Sequence, residues 1–462
     1  MSNTRKYLVL LFVFSVLLKL SLSFLNPLTY WDESIYANLG KNLIRYGEYS
    51  FAHGFADFFP NLSAAGARPP LIPFLVSVVF LVSENNFWLN FIVPLLSSAG
   101  IFGIYLLGKR LFNKEVARYS AGIYAFFPMN VFWGSKLLTD ISVLTFLIFS
   151  CYFFFRTFDS PEIKTNYSFS IWFGVFFALA FFTRYTVLWF VPFFVIWLLY
   201  NRGLSFLKDK RIYISIISFL TLVVPWFIFN YFQYHSVFGF INSSLEASVR
   251  WGSKPPLYYL KTLAIHFWFL LPLSSLGLIF YKKLFLDKTK INFILLWLFV
   301  VFLAASITSA KDHRYISPII PPIIILAAIG IYFLNYHKKI KLCVVLALVL
   351  ILAGYNIYSL NSAHSLFNSI DNTCFLETMD YIKKSNLSYV VTEHFSPVYF
   401  HTNIPNIRVS NYTETIDILQ NYYRDMKGVY YYVEGDWFNL KNETTALKSL
   451  YQCQHHEVLS FN

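Results

Sequence analysis

The sequence predicts a polytopic α-helical membrane protein with about eleven transmembrane helices, a long first extracytoplasmic loop and a small C-terminal extracytoplasmic α/β domain. The chain has 462 residues, of which 57% are hydrophobic and only 13% are charged, whereas soluble domains carry roughly 25% charged residues. Apolar runs long enough to cross a bilayer recur along most of the chain and then stop. The net charge is +13, which could indicate nucleic-acid binding. The basic residues, however, lie in short clusters between apolar runs, as topology signals do, so we predict no nucleic-acid partner.

The first apolar run, residues 7 to 25, follows Arg5 and Lys6. It resembles a signal peptide, but no small-residue cleavage site follows it, so we predict a retained membrane anchor. A long loop then extends to Pro70. Residues 71 to 82 form an apolar stretch of a dozen residues, too short to span comfortably. A crossing there would also put the later basic clusters outside, so we predict a helix at the outer interface or dipping into the membrane.

The remaining predicted transmembrane helices follow from hydropathy and from the positive-inside rule. Basic clusters at 109–114, 202–211, 282–290 and 337–341 then share the cytoplasmic side, which predicts an N-terminus inside and a C-terminus outside. The two short ranges 169–183 and 185–200 are predicted to form a broken hairpin, with Arg184 between them at the outer surface. The predicted ranges are 87–108, 116–135, 138–156, 169–183, 185–200, 212–232, 262–281, 291–309, 318–335 and 342–359.

The composition changes at about residue 361 to that of a soluble domain. Short alternating runs at 388–391 and 429–433, between helix-like stretches, predict a small α/β domain. We therefore divide the chain into a transmembrane domain at 1–360 and an extracytoplasmic domain at 361–462. Four cysteines show no metal-ligand spacing, and of these Cys374 and Cys453 could plausibly pair within the C-terminal segment.

Charged and polar residues of both signs converge on the predicted outer face. A phosphate-bearing lipid in the outer leaflet would need this arrangement, in which cationic groups hold the phosphate and a carboxylate takes a proton from an acceptor. No His, Asp and Glu set shows a recognisable metal spacing, and the two histidines at 53 and 235 are interpreted as structural. The converging residues are Asp32, Glu33, Arg45, His53, Asp57, Arg68, Asp140, Arg184, His235, Glu246, Arg250, Lys254 and the run from Lys311 to Tyr315.

Five motifs in register resemble those of the GT-C superfamily of polyprenyl-phosphate-sugar-dependent glycosyltransferases. The protein O-mannosyltransferases and the lipid A aminoarabinose transferases are the most similar branches. The resemblance covers roughly residues 1 to 335. The motifs are Asp32-Glu33 after the first helix, Arg68-Pro69-Pro70-Leu71, Thr139-Asp140, Lys254-Pro255-Pro256-Leu257-Tyr258-Tyr259-Leu260, and His313-Arg314-Tyr315-Ile316-Ser317-Pro318 before Pro321-Pro322.

The resemblance implies roles for individual residues. Asp32 would be the catalytic base that deprotonates the acceptor hydroxyl, with Glu33 assisting or positioning it. Arg68 stands where the family usually has lysine, and it would contact the donor phosphate with bidentate geometry. Arg314, with Lys311, would stabilise the departing polyprenyl phosphate as negative charge develops on it.

Asp140 matches a second outer acid of the family and is expected in the catalytic set, where it would orient the acceptor or the sugar. Four further residues are expected to bind substrate: His313, Tyr315 and Lys254, which lie in the motifs, and Arg184, which lies on the predicted outer face.

Together these features imply an inverting glycosyltransferase that moves one sugar from a polyprenyl-phosphate donor to an acceptor hydroxyl on the extracytoplasmic face. The acceptor is left open among a protein, a glycolipid and a lipid-linked oligosaccharide. The Trp-Trp-Asp-Tyr-Gly signature of oligosaccharyltransferases is absent, which argues against transfer of a whole glycan. No cofactor is expected, and a divalent metal is left open.

Two other classes compete with this interpretation. A transporter or flippase for a lipid-linked saccharide would favour ionisable residues or helix breaks at mid-membrane in paired halves, whereas here the charges gather at one surface. A receptor-like or adhesive protein would use its outer domain and would not need the acids of the first loop.

Each candidate site also has a plainer alternative. Asp32 and Glu33 could cap a helix that begins at Ser34, and Asp140 could be an N-cap. Arg68 and Arg184 could be interfacial anchors for lipid headgroups. The Lys311–Arg314 run could be an ordinary outer loop, although its charge density and the prolines after it favour a site.

Overall fold

A computed structural model describes residues 3–25, 31–51, 68–159, 167–235, 237, 254–285, 288–308, 311–392, 395–404, 406–408, 428–433 and 447–461. His53, Asp57, Glu246 and Arg250, which the sequence places on the outer face, lie outside these residues. The chain forms two compact units. The first comprises Met1–Leu22, Gly66–Ile72 and Asn90–Ser359, and the second comprises Ser23–Ala65, Pro73–Leu89 and Leu360–Asn462.

Helices dominate the described part of the chain. In chain order the α-helices are α1 Asn3–Phe24, α2 Trp31–Tyr46, α3 Leu71–Val82, α4 Ile92–Leu111, α5 Lys114–Phe126, α6 Pro128–Trp133, α7 Thr139–Phe158, α8 Ser168–Thr183, α9 Phe190–Arg202, α10 Lys210–Tyr234, α11 Tyr258–His266, α12 Leu271–Leu284, α13 Lys288–Ile307, α14 Ile320–Phe333, α15 Lys338–Phe367, α16 Ile370–Lys384 and α17 Phe395–Thr402. Short 3-10 helices at Asn86–Phe91, Tyr185–Trp189, Gly203–Lys208, His313–Ile319 and Leu334–Tyr336 extend or join them.

Eight helices of the described residues are long and apolar enough to cross a membrane, or nine if a bent pair counts as one span. Of the eleven ranges predicted from hydropathy, three differ from this set. The range 116–135 breaks where Pro128 starts α6, and 262–281 breaks into α11 and α12, which meet at 96°. Proline lacks an N–H and suits the start of a helix, and Pro272 stands at the start of α12. The third, α8, has 16 residues.

The core of the first unit lies between apolar helices that approach closely. Helices α12 and α14 touch through Gly277 and Gly330, where an added Cβ would lie 2.1 Å from a carbonyl oxygen of the other helix. A polar exception lies inside α1. Lys19 is completely buried and donates to Ser97 Oγ at 2.9 Å and to Ser98 Oγ at 3.3 Å. These bonds replace part of the hydration that burial removes from the side-chain nitrogen of Lys19.

The second unit contains a five-stranded sheet in the order β2-β1-β3-β5-β4. The strands are β1 Tyr389–Thr392, β2 Asn406–Arg408, β3 Gly428–Val433, β4 Leu447–Cys453 and β5 His456–Phe461. Strand β1 pairs in parallel with β2 and β3, whereas β5 pairs antiparallel with β3 and β4. The predicted pairing of Cys374 with Cys453 is confirmed, since a disulfide joins α16 to β4. The domain boundary at 360/361 stays a prediction.

Candidate active site

A buried carboxylate forms the centre of the candidate site in the first unit. Asp140 lies in the first turn of α7, which begins at Thr139, and is only 3% exposed. Its Oδ1 accepts from the guanidinium of Arg184, and its Oδ2 lies 3.7 Å from Nη1 of Arg314. Arg184 separates α8 from the following 3-10 helix, so the break between the two predicted spans brings this cation to Asp140.

The second arginine comes from the His313–Ile319 3-10 helix. The Asp312 side chain caps this helix by accepting from the Arg314 main-chain N–H at 3.0 Å, which satisfies a donor at the helix start. Ser317 Oγ donates to the main-chain oxygen of Asp140 at 2.9 Å. The segment is therefore bonded to α7 on the same residue whose carboxylate faces Arg314.

Aromatic rings enclose the two guanidinium groups. The Tyr315 ring centroid lies 4.7 Å from the guanidinium of Arg184 and 5.5 Å from that of Arg314. Trp133 lies 5.5 Å from the Arg314 guanidinium and contacts the ring of His313. Such contacts attract the cations to the ring faces and fix their orientation.

Two predicted binding residues, His313 and Lys311, already have protein partners. His313 Nδ1 lies 3.1 Å from Asp312 Oδ1, and its ring stacks on that of His266 at 5.3 Å. Lys311 is 6% exposed and donates to the carbonyl oxygens of Thr308 and Lys254, the latter at 3.2 Å.

Lys254 itself is exposed, with its ammonium 4.7 Å from the ring centroid of Tyr258. The structure thus gathers Asp140, Arg184, Arg314, His313, Tyr315, Lys311 and Lys254 in the first unit. Arg68 belongs to the same unit and is half-buried ahead of the buried Pro69 and Pro70. Its predicted contact with a donor phosphate stays a prediction, as do the other assigned roles.

The acids of the first loop belong to the second unit. Asp32 and Glu33 occupy the first turn of α2, which begins at Trp31. The alternative of a helix beginning at Ser34 is therefore wrong, because both acids are inside the helix. Asp32 is half-buried and Glu33 is 2% exposed. Carboxylates in a first turn interact favourably with the helix dipole.

Asp140 is likewise inside its helix and its side chain is engaged by arginine, so it is not an N-cap. Sequence reasoning missed Trp133 and His266, which contact His313. With 11 Trp, 33 Tyr and 52 Phe in the chain, no single aromatic residue is distinctive. Among the described residues, no three His, Cys, Asp or Glu side chains cluster to hold a metal ion.

Solved structures share this architecture over nearly the whole chain. ArnT from Cupriavidus metallidurans, in the structure bound to undecaprenyl phosphate, superposes with a TM-score of 0.74 at 13% identity, covering 98% of both chains. The fold is that of the GT-C glycosyltransferases. In the apo state ArnT gives a TM-score of 0.74 at 14% identity, covering 100% of this chain and 99% of that one.

A second GT-C protein shows the same likeness less closely. The archaeal oligosaccharyltransferase AglB from Archaeoglobus fulgidus, in complex with an inhibitory peptide and a dolichol-phosphate, gives a TM-score of 0.61 at 12% identity, covering 100% of this chain and 75% of that one. In sequence, a family model described as dolichyl-phosphate-mannose-protein mannosyltransferase matches residues 67–229. No curated protein sequence matches significantly.

The likeness to these solved structures confirms the fold that the GT-C resemblance implies. The residues matched in sequence include Arg68, Asp140 and Arg184.

Proposed function

We propose that the protein is an inverting glycosyltransferase that transfers one sugar from a polyprenyl-phosphate donor to an acceptor hydroxyl. The observation that carries the proposal is the buried Asp140 between Arg184 and Arg314, within a GT-C fold. Two guanidinium groups lie against one carboxylate, and Nε of Arg314 also lies 3.9 Å from Oδ1 of Asp312. The cluster thus holds two arginines in place, and arginine suits phosphate in both charge and geometry. The two similar structures, one bound to undecaprenyl phosphate and one in complex with a dolichol-phosphate, support a polyprenyl-phosphate donor.

The reaction would need one carboxylate and several cations. The acceptor hydroxyl would give its proton to Asp32 while its oxygen attacks the anomeric carbon. The bond from that carbon to the phosphate oxygen would break, and its electron pair would leave with the polyprenyl phosphate. Arg314, Lys311 and Arg68 would stabilise that developing charge. Asp140 would hold Arg184 and Arg314 in place and would orient the acceptor or the sugar.

The site and the C-terminal domain are proposed to face the extracytoplasmic side. The basic clusters of the loops favour this orientation through the positive-inside rule. The disulfide between Cys374 and Cys453 also supports it, because disulfides form and persist in oxidising compartments.

The test is transfer of radiolabelled sugar from a panel of polyprenyl-phosphate sugars in membranes that contain wild-type protein or the Asp32→Asn variant at equal levels. We expect transfer from at least one donor by the wild type and a loss of at least about 100-fold in the variant, as for removal of a general base. Asp380→Asn is the matched control, since it makes the same chemical change at a carboxylate paired with Lys384 on the surface of α16. Equal transfer by wild type and Asp32→Asn would show that Asp32 is structural. No transfer from any donor would reject the glycosyltransferase assignment.

A further inference from the structure

A buried polar interface joins α2 to α17, and both helices belong to the second unit. Ser34, Asn38, Lys41 and Asn42 lie on one face of α2, because residues spaced by three and four share a face. Ser34, Asn38 and Asn42 are fully buried, and Lys41 is 4% exposed. A helix face of this polarity is unusual for a buried contact, since polar groups are costly to bury unless each finds a partner.

Each of these side chains bonds to α17 or to the residue just after it. Asn38 Nδ2 donates to the carbonyl oxygen of Ser396 at 3.0 Å and lies 3.2 Å from its Oγ. Ser34 Oγ donates to Ser396 Oγ at 3.0 Å.

Hydrogen bonds also join the C-terminal half of α2 to α17 and to the residue that follows it. Tyr399 OH donates to Asn42 Oδ1 at 3.1 Å, and Lys41 donates to Asn403 Oδ1. The interface thus spans more than two turns of α2, from Ser34 to Asn42.

Helix α17 is itself anchored in the C-terminal domain. Val398 packs in one buried cluster with Met379 and Ile382 of α16 and Val390 of β1. The disulfide at Cys374 ties α16 to the sheet. Helix α2 is therefore bonded to an element whose position the sheet domain fixes.

Hydrogen bonds, unlike apolar packing, fix the rotation and register of a helix. An apolar pair of helices can be about as stable as a hydrogen-bonded pair, but it allows small slides and rotations that a bonded amide does not. The first turn of α2 carries Asp32 and Glu33, and Glu33 is followed directly by the bonded Ser34. Ser34 and Asn38 thus bond α17 to the part of α2 that directly follows the two carboxylates.

We propose that α17 is a positioning element for the acidic first turn of α2, with Ser396 and Asn38 as its positioning residues. The C-terminal domain then serves the reaction by orienting Asp32. This inference rests on the proposed function, in which Asp32 is the base.

The experiment compares two hydroxyl deletions in the same domain. Ser396→Ala removes the hydroxyl that faces Ser34 and Asn38. Thr378→Ala is the matched control, because Thr378 is equally buried and donates at 2.7 Å to the carbonyl oxygen of Cys374 within α16. A second variant, Asn38→Leu, removes the amide from the α2 side at similar volume.

Two quantities are measured, namely the kcat and KM of transfer and the hydrogen exchange of the α2 amides at residues 33–46. We expect Ser396→Ala and Asn38→Leu to lower kcat by about 10- to 100-fold, since small misplacements of a catalytic group have effects of this size. The KM for the donor should stay within about 2-fold. Exchange in α2 should rise about 10-fold on loss of these bonds, and Thr378→Ala should change neither quantity. The double variant should resemble the worse single variant, because the two residues share one contact.

Wild-type kcat in Ser396→Ala and Asn38→Leu, or equal losses in all three single variants, would overturn the inference. If wild-type protein transfers no sugar, the proposed function fails, and the positioning role fails with it even if α2 exchange responds as expected. If wild-type protein transfers sugar and only the kcat arm fails, the positioning role alone is rejected.

Discussion

The Asp140 cluster and the α2–α17 interface are both largely buried, but they differ in the charge of the groups that they contain. Around Asp140, charged groups meet: two arginines share one carboxylate, with aromatic rings against the cations. Between α2 and α17, most of the bonds join neutral amides and hydroxyls, and Lys41 is the one cation among the contacts described above. The first arrangement consists of charged groups, whereas the second consists mostly of neutral hydrogen bonds.

The difference in charge indicates that the Asp140 cluster suits a charged ligand, whereas the α2–α17 interface suits a contact within the protein. Under the proposed function the Asp140 cluster suits a phosphate, because arginine binds phosphate through both charge and geometry. The α2 interface consists mostly of neutral groups bonded to one another, so it offers a phosphate less electrostatic attraction. Three further predictions test this contrast, in order of decreasing effect.

The largest effect is expected at Asp140. Asp140→Ala removes the carboxylate between two arginines whose side chains are only 21% and 17% exposed. Breaking such a pair costs about 3–5 kcal/mol, whereas Ser396→Ala should cost about 1 kcal/mol. Denaturant unfolding of purified protein in detergent measures both.

Added inorganic phosphate should restore part of the stability of Asp140→Ala and none of that of Ser396→Ala. Similar costs at the two positions, or an equal response to phosphate, would contradict the contrast between a charged and a neutral cluster.

The second effect is a pH dependence at Lys41. Burial lowers the pKa of Lys41 from 10.5 to about 8, with Arg45 and Lys383 adding repulsion and Glu84 partly opposing it. Between these two values the unfolded chain holds a proton that the folded chain has lost. The free energy of unfolding should therefore rise with pH over this window, by up to about 1.4 kcal/mol per pH unit.

Lys41→Met should flatten that rise when unfolding is followed from pH 8 to pH 10.5. Lys384→Met is the control, because Lys384 lies in the same unit with a side chain 74% exposed. An unchanged slope in Lys41→Met would mean that the ammonium of Lys41 is solvated, and the α2 interface would then be less dry than its contacts indicate.

The smallest effect is expected at Trp133. Trp133→Leu removes the ring that lies 5.5 Å from the Arg314 guanidinium, a contact worth about 0.5–2 kcal/mol. The KM for the polyprenyl-phosphate donor should rise by about 2- to 30-fold, as that energy implies. Trp172→Leu is the control, since Trp172 is 47% exposed on α8 and packs on Phe176. Equal changes of KM in the two variants would show that Trp133 does not support donor binding through Arg314.

Hydropathy predicted most of the helices because a bilayer demands long apolar segments whatever their neighbours are. Residues 71–82 were predicted as a short separate helix and form α3 with those bounds. The errors fall where one residue changes the path of the chain. Pro128 is the first residue of α6 and Pro272 the second residue of α12, and both helices start inside a range that hydropathy treats as continuous. An apolar average does not register a missing N–H.

The candidate site was predicted as a set of residues rather than as an arrangement. The motifs pointed to Asp140 and Arg314, and the predicted outer face pointed to Arg184, because charges next to apolar helices are rare and therefore visible in a sequence. The contacts of Asp140 with Arg184, 44 residues away, and with Ser317, 177 residues away, could not be predicted from the sequence. Trp133 and His266 carried no signal of their own, because aromatic and histidine side chains near a membrane surface have many uses.

The sequence by itself determined that apolar segments long enough to cross a membrane recur along the chain, that acids and bases accompany them, and that the motifs resemble those of the GT-C glycosyltransferases. Those properties depend on composition and local spacing. Only the tertiary structure decided that one carboxylate serves two arginines and that α2 is bonded to α17 by Ser34 and Asn38, which are 362 and 358 residues from Ser396. Contacts over such separations depend on how whole helices pack, and no local pattern of residues encodes them.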